Sequence, residues 1–322
     1  SERILGRLLA RQGVFAYHLG RYQRARELLE ESLAISRRLG DQREIAFALN
    51  NLGILAGLRG DYQEEKKLFQ ESLALYQSLG EQRRVAVVLN NLGIAERVLG
   101  AYEEARRFSQ ESLAICRASG YRLAMARALQ NLGLIARCTK EYDEARQFYL
   151  ESLALFREIG DRWGVALALG NLGEMAYQLS EYTEARKHLQ ESLALRREIG
   201  DRLGIVIALN SLSSVARAMG EDREAERYLK EALEIAMDIQ SYPMALDALV
   251  ELAQLLAGRG EEEKALELAT LALHHPATED HTRDRAKEFS TQLSSQLPPS
   301  VVAAAQERGR RRRIEEVAKE LL

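Results

Sequence analysis

Apolar residues recur along this chain at helical spacing, and the whole pattern returns every forty residues. Between positions 41 and 80, Leu49, Leu52, Gly53 and Ala56 fall at i, i+3, i+4 and i+7, one face of a helix. Asp41 precedes that face with Glu44 three residues on, the sequence form of a capping box. Gly60 supplies the left-handed residue that ends the helix. Asp61 and Glu64 open a second helix in the same way, and Leu68, Ser72, Leu75 and Leu79 carry its apolar stripe to Gly80. Glu-Ser-Leu-Ala recurs at 31–34, 71–74, 111–114, 151–154 and 191–194, with tyrosines at Tyr22, Tyr62, Tyr102, Tyr142 and Tyr182. Seven periods result, near 1–40, 41–80, 81–120, 121–160, 161–200, 201–240 and 241–275, the last two degenerate. No proline occurs before Pro243 to interrupt a helix. A two-helix unit cannot bury its stripe alone, so stacking of neighbours must supply the core. The pattern predicts an all-α solenoid of about seven helix-turn-helix repeats over 1–275, closed by a helical cap over 276–322.

In that cap, Pro276 ends the array and a helix is predicted over 281–296, with Ala286, Phe289 and Leu293 on one face. Leu297-Pro298-Pro299-Ser300 breaks it, and 301–322 reads as a last helix bent near Gly309. Arg308 and Arg310 to Arg313 form the one concentrated basic run. It has no interleaved aromatics on which bases could stack. A solvated face, or contact with acidic repeats nearby, is expected there rather than nucleic acid.

Composition narrows the class. Of 322 residues, 46% are hydrophobic and 29% charged, which fits a folded chain with a heavily solvated surface. The net charge of -3 gives no overall field for nucleic acid or an acidic membrane. No run of about 18 apolar residues is present to span a bilayer. The first ten residues carry no signal pattern and no initiator Met, so the chain is read as part of a longer, cytoplasmic protein. Cys116 and Cys138 form no motif and are expected to be thiols. His274, His275 and His281 with Glu279 and Asp280 straddle Pro276, but their spacing fits no structural zinc pattern. No phosphate loop, serine elbow or dinucleotide fingerprint occurs. Neither a catalytic site, nor a metal, nor a cofactor is expected.

Leu89-Leu92-Gly93 followed by Ala105, and Leu129-Leu132-Gly133 followed by Ala145, Tyr149 and Ser152, resemble the tetratricopeptide repeat. The usual period is 34 and this one is 40, and the proline that commonly closes the second helix is replaced by residues such as Arg37 and Gln77. Asn-Asn-Leu-Gly at this period is similar to arrays in bacterial signal-transduction ATPases and LuxR-type regulators, and to kinesin light chains. The tail around Pro298-Pro299, Ala303 to Ala305 and Ile314 to Ala318 resembles the segment that closes such regulators. The resemblance implies a sensor arm that binds protein or extended peptide, next to an upstream nucleotide-binding switch outside this chain. A free-standing adaptor and a quorum-sensing-type peptide receptor are the alternatives it leaves open. Self-association through exposed terminal repeats is also left open.

The resemblance further implies a right-handed α-solenoid in which the first helix of each pair lines the concave side. It assigns Asn50 and Asn51, then Asn90, Asn91 and Arg97, then Arg127, Gln130, Asn131 and Arg137 to that surface. Further along it assigns Asn171, Glu174, Tyr177, Asn210 and Arg217. Amides offer both donors and acceptors to an extended backbone. The same ladder, Asn51, Asn91, Asn131 and Asn171, would equally serve to bond neighbouring repeats. Arg97, Arg137 and Arg217 would either form a basic strip or pair with nearby glutamates.

Overall fold

In the computed structural model, residues 2–322 are described, and among them every regular element is an α-helix. The chain divides after Asp161 into two compact units. The first holds α1 (Glu2–His18), α2 (Tyr22–Arg38), α3 (Gln42–Leu58), α4 (Tyr62–Ser78), α5 (Gln82–Val98), α6 (Tyr102–Ser119), α7 (Arg122–Cys138) and α8 (Tyr142–Ile159). The second holds α9 (Arg162–Gln178), α10 (Tyr182–Ile199), α11 (Arg202–Ala218), α12 (Asp222–Asp238), α13 (Tyr242–Gly258) and α14 (Glu262–His274). It continues with α15 (Asp280–Ser294), α16 (Pro299–Arg311) and α17 (Ile314–Leu321). The fold is an all-α solenoid of antiparallel helix pairs.

Turn chemistry fixes the helix ends. Asp41 and Asp61 accept the backbone N–H of Glu44 (3.4 Å) and Glu64 (3.2 Å), so the aspartate half of each predicted capping box forms. The Glu44 half does not: its buried carboxylate turns to Arg7 (3.4 Å) and Arg11 (3.6 Å) on the preceding pair. Turn glycines such as Gly60 (φ +77°) take the left-handed conformation at the close of the helices. At three equivalent turns Lys140, Ser180 and Gln240 adopt it at φ 64°, 61° and 56°.

Within each of the first five pairs, a buried serine of the second helix bonds the first helix at a fixed separation. Ser32, Ser72 and Ser112 donate to the carbonyls of Gly6, Ala46 and Ala86 at 2.7, 2.8 and 2.7 Å. Ser152 and Ser192 donate to Ala126 and Ala166 at 3.0 and 2.7 Å. These serines occupy the small packing position, and their hydroxyls are satisfied rather than offered for chemistry. The close approach depends on glycine in the facing helix. A Cβ at Gly133 would come within 2.7 Å of the Tyr149 ring, and one at Gly53 within 2.7 Å of Phe69. The stripe that α4 buries is Phe69, Ser72 and Tyr76, whereas Leu68 and Leu75 are half-buried and Leu79 is exposed. The predicted stripe was displaced by one residue because both faces of α4 carry apolar side chains, and the larger aromatics take the core.

The tail departs from expectation in one respect. The break falls at Arg312 and Arg313, which are extended (ψ 147° and 141°), not at Gly309. Gly309 lies inside α16 because α16 presses on α14 there: a Cβ would come within 2.8 Å of Thr270 Cβ. α15 packs on α13 and α14 as the first helix of a further pair would, while α16 returns along α14 and α17 reaches α12. Ala305, Ile314, Val317, Ala318 and Leu321 are buried in the core of this unit.

Candidate functional site

In the first unit α1, α3, α5 and α7 pack in succession, whereas the second helices of the pairs make at most weaker contact with one another. The odd-numbered helices therefore line the tighter, concave side. Each presents one stripe there, at i, i+4, i+7/i+8, i+11 and i+15. On α3 this is Arg43, Phe47, the Asn50–Asn51 pair, Ile54 and Leu58, and on α5 it is Arg83, Val87, the Asn90–Asn91 pair, Ile94 and Val98. On α7 it is Leu123, Arg127, the Gln130–Asn131 pair, Leu134 and Cys138.

The amides behave differently from pair to pair. Asn51, half-buried, donates to its own helix at the Phe47 carbonyl (2.7 Å). Asn91 donates across the repeat to Asn50 Oδ1 (2.9 Å). Asn131, buried, donates inward to Ser109 Oγ (2.8 Å) and accepts from Arg97 Nε (3.2 Å). Asn90 and Gln130 are buried to 9% and 5% exposure, yet Asn90 Oδ1 and Gln130 Nε2 have no hydrogen-bond partner. Phe47 lies between two guanidinium groups, with Arg11 at 3.9 Å and Arg84 at 5.7 Å from its ring centroid.

The second unit has its own surface. Asn171 is buried with Nδ2 unpartnered, and half-buried Asn210 has Oδ1 unpartnered. Arg217 is held by Glu251 and by Gln254 Oε1 (2.9 Å), and Arg285 of α15 is held by Glu251 and by Asp247 (2.8 Å). Arg217, Glu251, Gln254 and Arg285 line an open groove of about 600 Å³ together with Tyr177, which is exposed. Glu174 is half-buried one turn before Tyr177. Arg97 and Arg217 are thus tied to the next repeat rather than standing free, while Arg127 is exposed. Arg137 is half-buried.

The basic run in the tail is consumed by intramolecular pairs. Arg308 binds Glu263 and Glu267, and Arg312 binds Glu267 (2.8 Å) and Glu320. Arg310 reaches His274, and Arg311 and Arg313 pair with Glu307 and Glu315. Among the described residues no cluster of three or more His, Cys, Asp or Glu could hold a metal, and no helix is long and apolar enough to cross a membrane.

Ser109 went unremarked in the sequence, and it stands where other pairs carry Phe69, Tyr149 or Leu189. Glu65 reads with Glu64 as a carboxylate pair on a surface helix face, but it is buried, and it stands where other pairs carry alanine. Aligning the forty-residue periods column by column would have exposed both.

The tetratricopeptide-repeat family profile matches residues 5–78, 84–158 and 164–238, well over half of the sequence. The chain belongs to the tetratricopeptide-repeat family. Its repeats form the scaffold type that typically carries protein interaction rather than catalysis. No curated protein sequence matches it. Among solved structures it is similar to a signal-transduction ATPase with numerous domains (STAND) bearing a tetratricopeptide-repeat sensor, from Pyrococcus horikoshii. That likeness has 17% identity and a TM-score of 0.72, and covers 100% of this chain and 49% of the other. The chain therefore spans about half the length of that protein. It is also similar to the apo quorum sensor NprR from B. thuringiensis (15% identity, TM-score 0.70, 100% of this chain and 88% of the other). A third similar structure is BtubC from P. vanneervenii (21% identity, TM-score 0.59, 69% of this chain and 93% of the other). At these identities the likeness establishes the fold alone.

Proposed function

We propose that this repeat array is a non-catalytic recognition module whose concave helices bind a protein or an extended peptide. The observation that carries the reading is the pair of buried, unpartnered amide atoms on α5 and α7, Asn90 Oδ1 and Gln130 Nε2. Leaving such atoms unpaired costs about 1–3 kcal/mol each, so a ligand that satisfies them regains that free energy. One is an acceptor and the other a donor, which matches the N–H and C=O of a backbone. Asn50, Asn51, Asn91 and Asn131 then act chiefly by setting the stacking around the site, each through the bond it makes. The recognition surface of the second unit comprises Asn171, Glu174, Tyr177, Asn210 and Arg217.

In this reading the array is the cytoplasmic sensor arm of a larger signalling ATPase or transcription regulator, supported by its likeness in fold to the P. horikoshii protein. A peptide receptor in its own right is the alternative, supported in the same way by NprR. The test is titration of the full chain with a library of short acidic and neutral peptides. Saturable binding lost in Asn90→Ala and Gln130→Ala, with helicity unchanged, is the expected result. Binding that survives both substitutions overturns the assignment to this surface.

A further inference from the structure

Resting on the recognition surface proposed above, we infer that α5 and α7 select an extended peptide in which acidic and aliphatic side chains alternate. The inference begins at Ser109. Elsewhere a bulky residue fills the space beneath the glycine of the facing helix: Phe69 beneath Gly53, Tyr149 beneath Gly133, Leu189 beneath Gly173. Beneath Gly93 stands only Ser109, whose hydroxyl bonds its own helix at the Ala105 carbonyl (2.8 Å). Asn131 Nδ2 enters the vacated space and donates to Ser109. At the previous seam the equivalent amide, Asn91, instead crosses to Asn50. Because Asn131 has turned inward, no amide crosses to Asn90, and Asn90 Oδ1 and Gln130 Nε2 are left to a ligand.

The flanks of this seam differ in character. Toward the helix N-termini stand Arg83, Arg84 and Arg127, all exposed and, among the described residues, in no ion pair. Nearby carboxylates are already engaged, Glu81 by Arg43 and Glu158 by Arg122. Toward the C-termini stand Ile94, Val98 and Leu134, the first two exposed, with Arg97 and Arg137 beside them half-buried and Arg97 held by Asn131. Arg84 and Ile94 are ten residues apart, about 15 Å along the helix axis at 1.5 Å per residue. An extended peptide crossing the helices between these flanks sends successive side chains to opposite sides. One set meets guanidinium groups and the other meets aliphatic carbon. Carboxylates complement the first set and branched aliphatic groups the second. In the second unit the order is reversed, with Trp163, Leu203 and Ile207 toward the N-termini and Glu174, Ser214 and Gln254 toward the C-termini. The same peptide therefore does not suit it.

The test uses three capped twelve-residue peptides, alternating Asp-Leu, Lys-Leu and Asp-Ser, titrated into the full chain at two salt concentrations. Asp-Leu is expected to bind at least about tenfold more tightly than either of the others. Raised salt and the double substitution Arg84→Glu, Arg127→Glu should each weaken it, as should Ile94→Asp alone. These side chains are exposed, and helicity measured by circular dichroism should not change. Trp163, the only tryptophan, reports on the second unit and should keep its fluorescence. Equal binding of Lys-Leu, indifference to the arginine reversal, or a Trp163 response overturns this inference while leaving recognition by the array intact. Failure of all three peptides and of the wider library overturns both.

Discussion

Replacing Glu65 by glutamine should flatten the pH dependence of stability. Six equivalent positions hold alanine at 0% exposure: Ala25, Ala105, Ala145, Ala185, Ala225 and Ala265. At this one position a carboxyl group is buried to 8% exposure, in space opened by Gly57, where a Cβ would come within 2.6 Å of Glu65 Cδ. The neighbouring charges, Lys66 and Glu96, are paired with each other at 2.6 Å. Burial pushes the Glu65 carboxyl up to about 7 from an ordinary 4.5. The folded state thus holds this proton more tightly than the unfolded chain does. Stability is greatest below about pH 4.5 and falls as pH rises through 7. At 1.36 kcal/mol per unit the full shift corresponds to about 3 kcal/mol, and partial hydration of the carboxylate reduces this to about 1–2 kcal/mol. Denaturant unfolding of the native chain and of Glu65→Gln, at intervals from pH 4.5 to 8, measures the difference directly. The native chain should lose about 1–2 kcal/mol relative to the variant across that range. Parallel pH profiles would refute the reasoning.

Lys140→Gly, Ser180→Gly and Gln240→Gly should each stabilise the chain by about 1 kcal/mol, because these turns demand a conformation that glycine adopts without strain. An unchanged denaturation midpoint would count against that. Gly133→Ala should destabilise by about 1–3 kcal/mol through its contact with Tyr149, and Tyr149→Leu, the size used at Leu189, should recover part of the loss in the same assay. Glu267 is buried, which pushes its carboxyl up, but bonds from Arg312 and Arg308 outweigh this and hold it below the ordinary range. Tail docking is therefore secure at neutral pH and weakens as acid protonates Glu267. Glu267→Ala should cost about 2–3 kcal/mol and hasten proteolysis near 297–300, and a native cleavage rate would contradict this role.

The fold was legible because one period, close to exact in five copies and degenerate in two more, ties glycine, tyrosine and serine to fixed places in a helix pair. Details that depend on what lies opposite were less so. The buried stripe of α4 could not be distinguished from its neighbour, since Leu68 and Phe69 both follow helical spacing. Arg97 and Arg217 read either as a basic strip or as partners of nearby glutamates; Arg217 does meet a glutamate, Glu251, but Arg97 bonds Asn131, and with both partners 34 residues on, no local pattern announces which. Asn51, Asn91 and Asn131 look identical in sequence and make three different bonds. The difference at Asn131 is set by Ser109, a substitution in another helix. Gly309 signalled a bend because glycine weakens helices, but here it serves close packing on α14.

The central claim is that the odd-numbered helices of the first unit hold a ligand. Hydrogen exchange of the full chain, with and without saturating Asp-Leu peptide, tests it most directly. The account predicts added protection in α3, α5 and α7, centred on 87–98 and 127–134, and none in α2, α4 or α6. Protection confined to the even-numbered helices would contradict it.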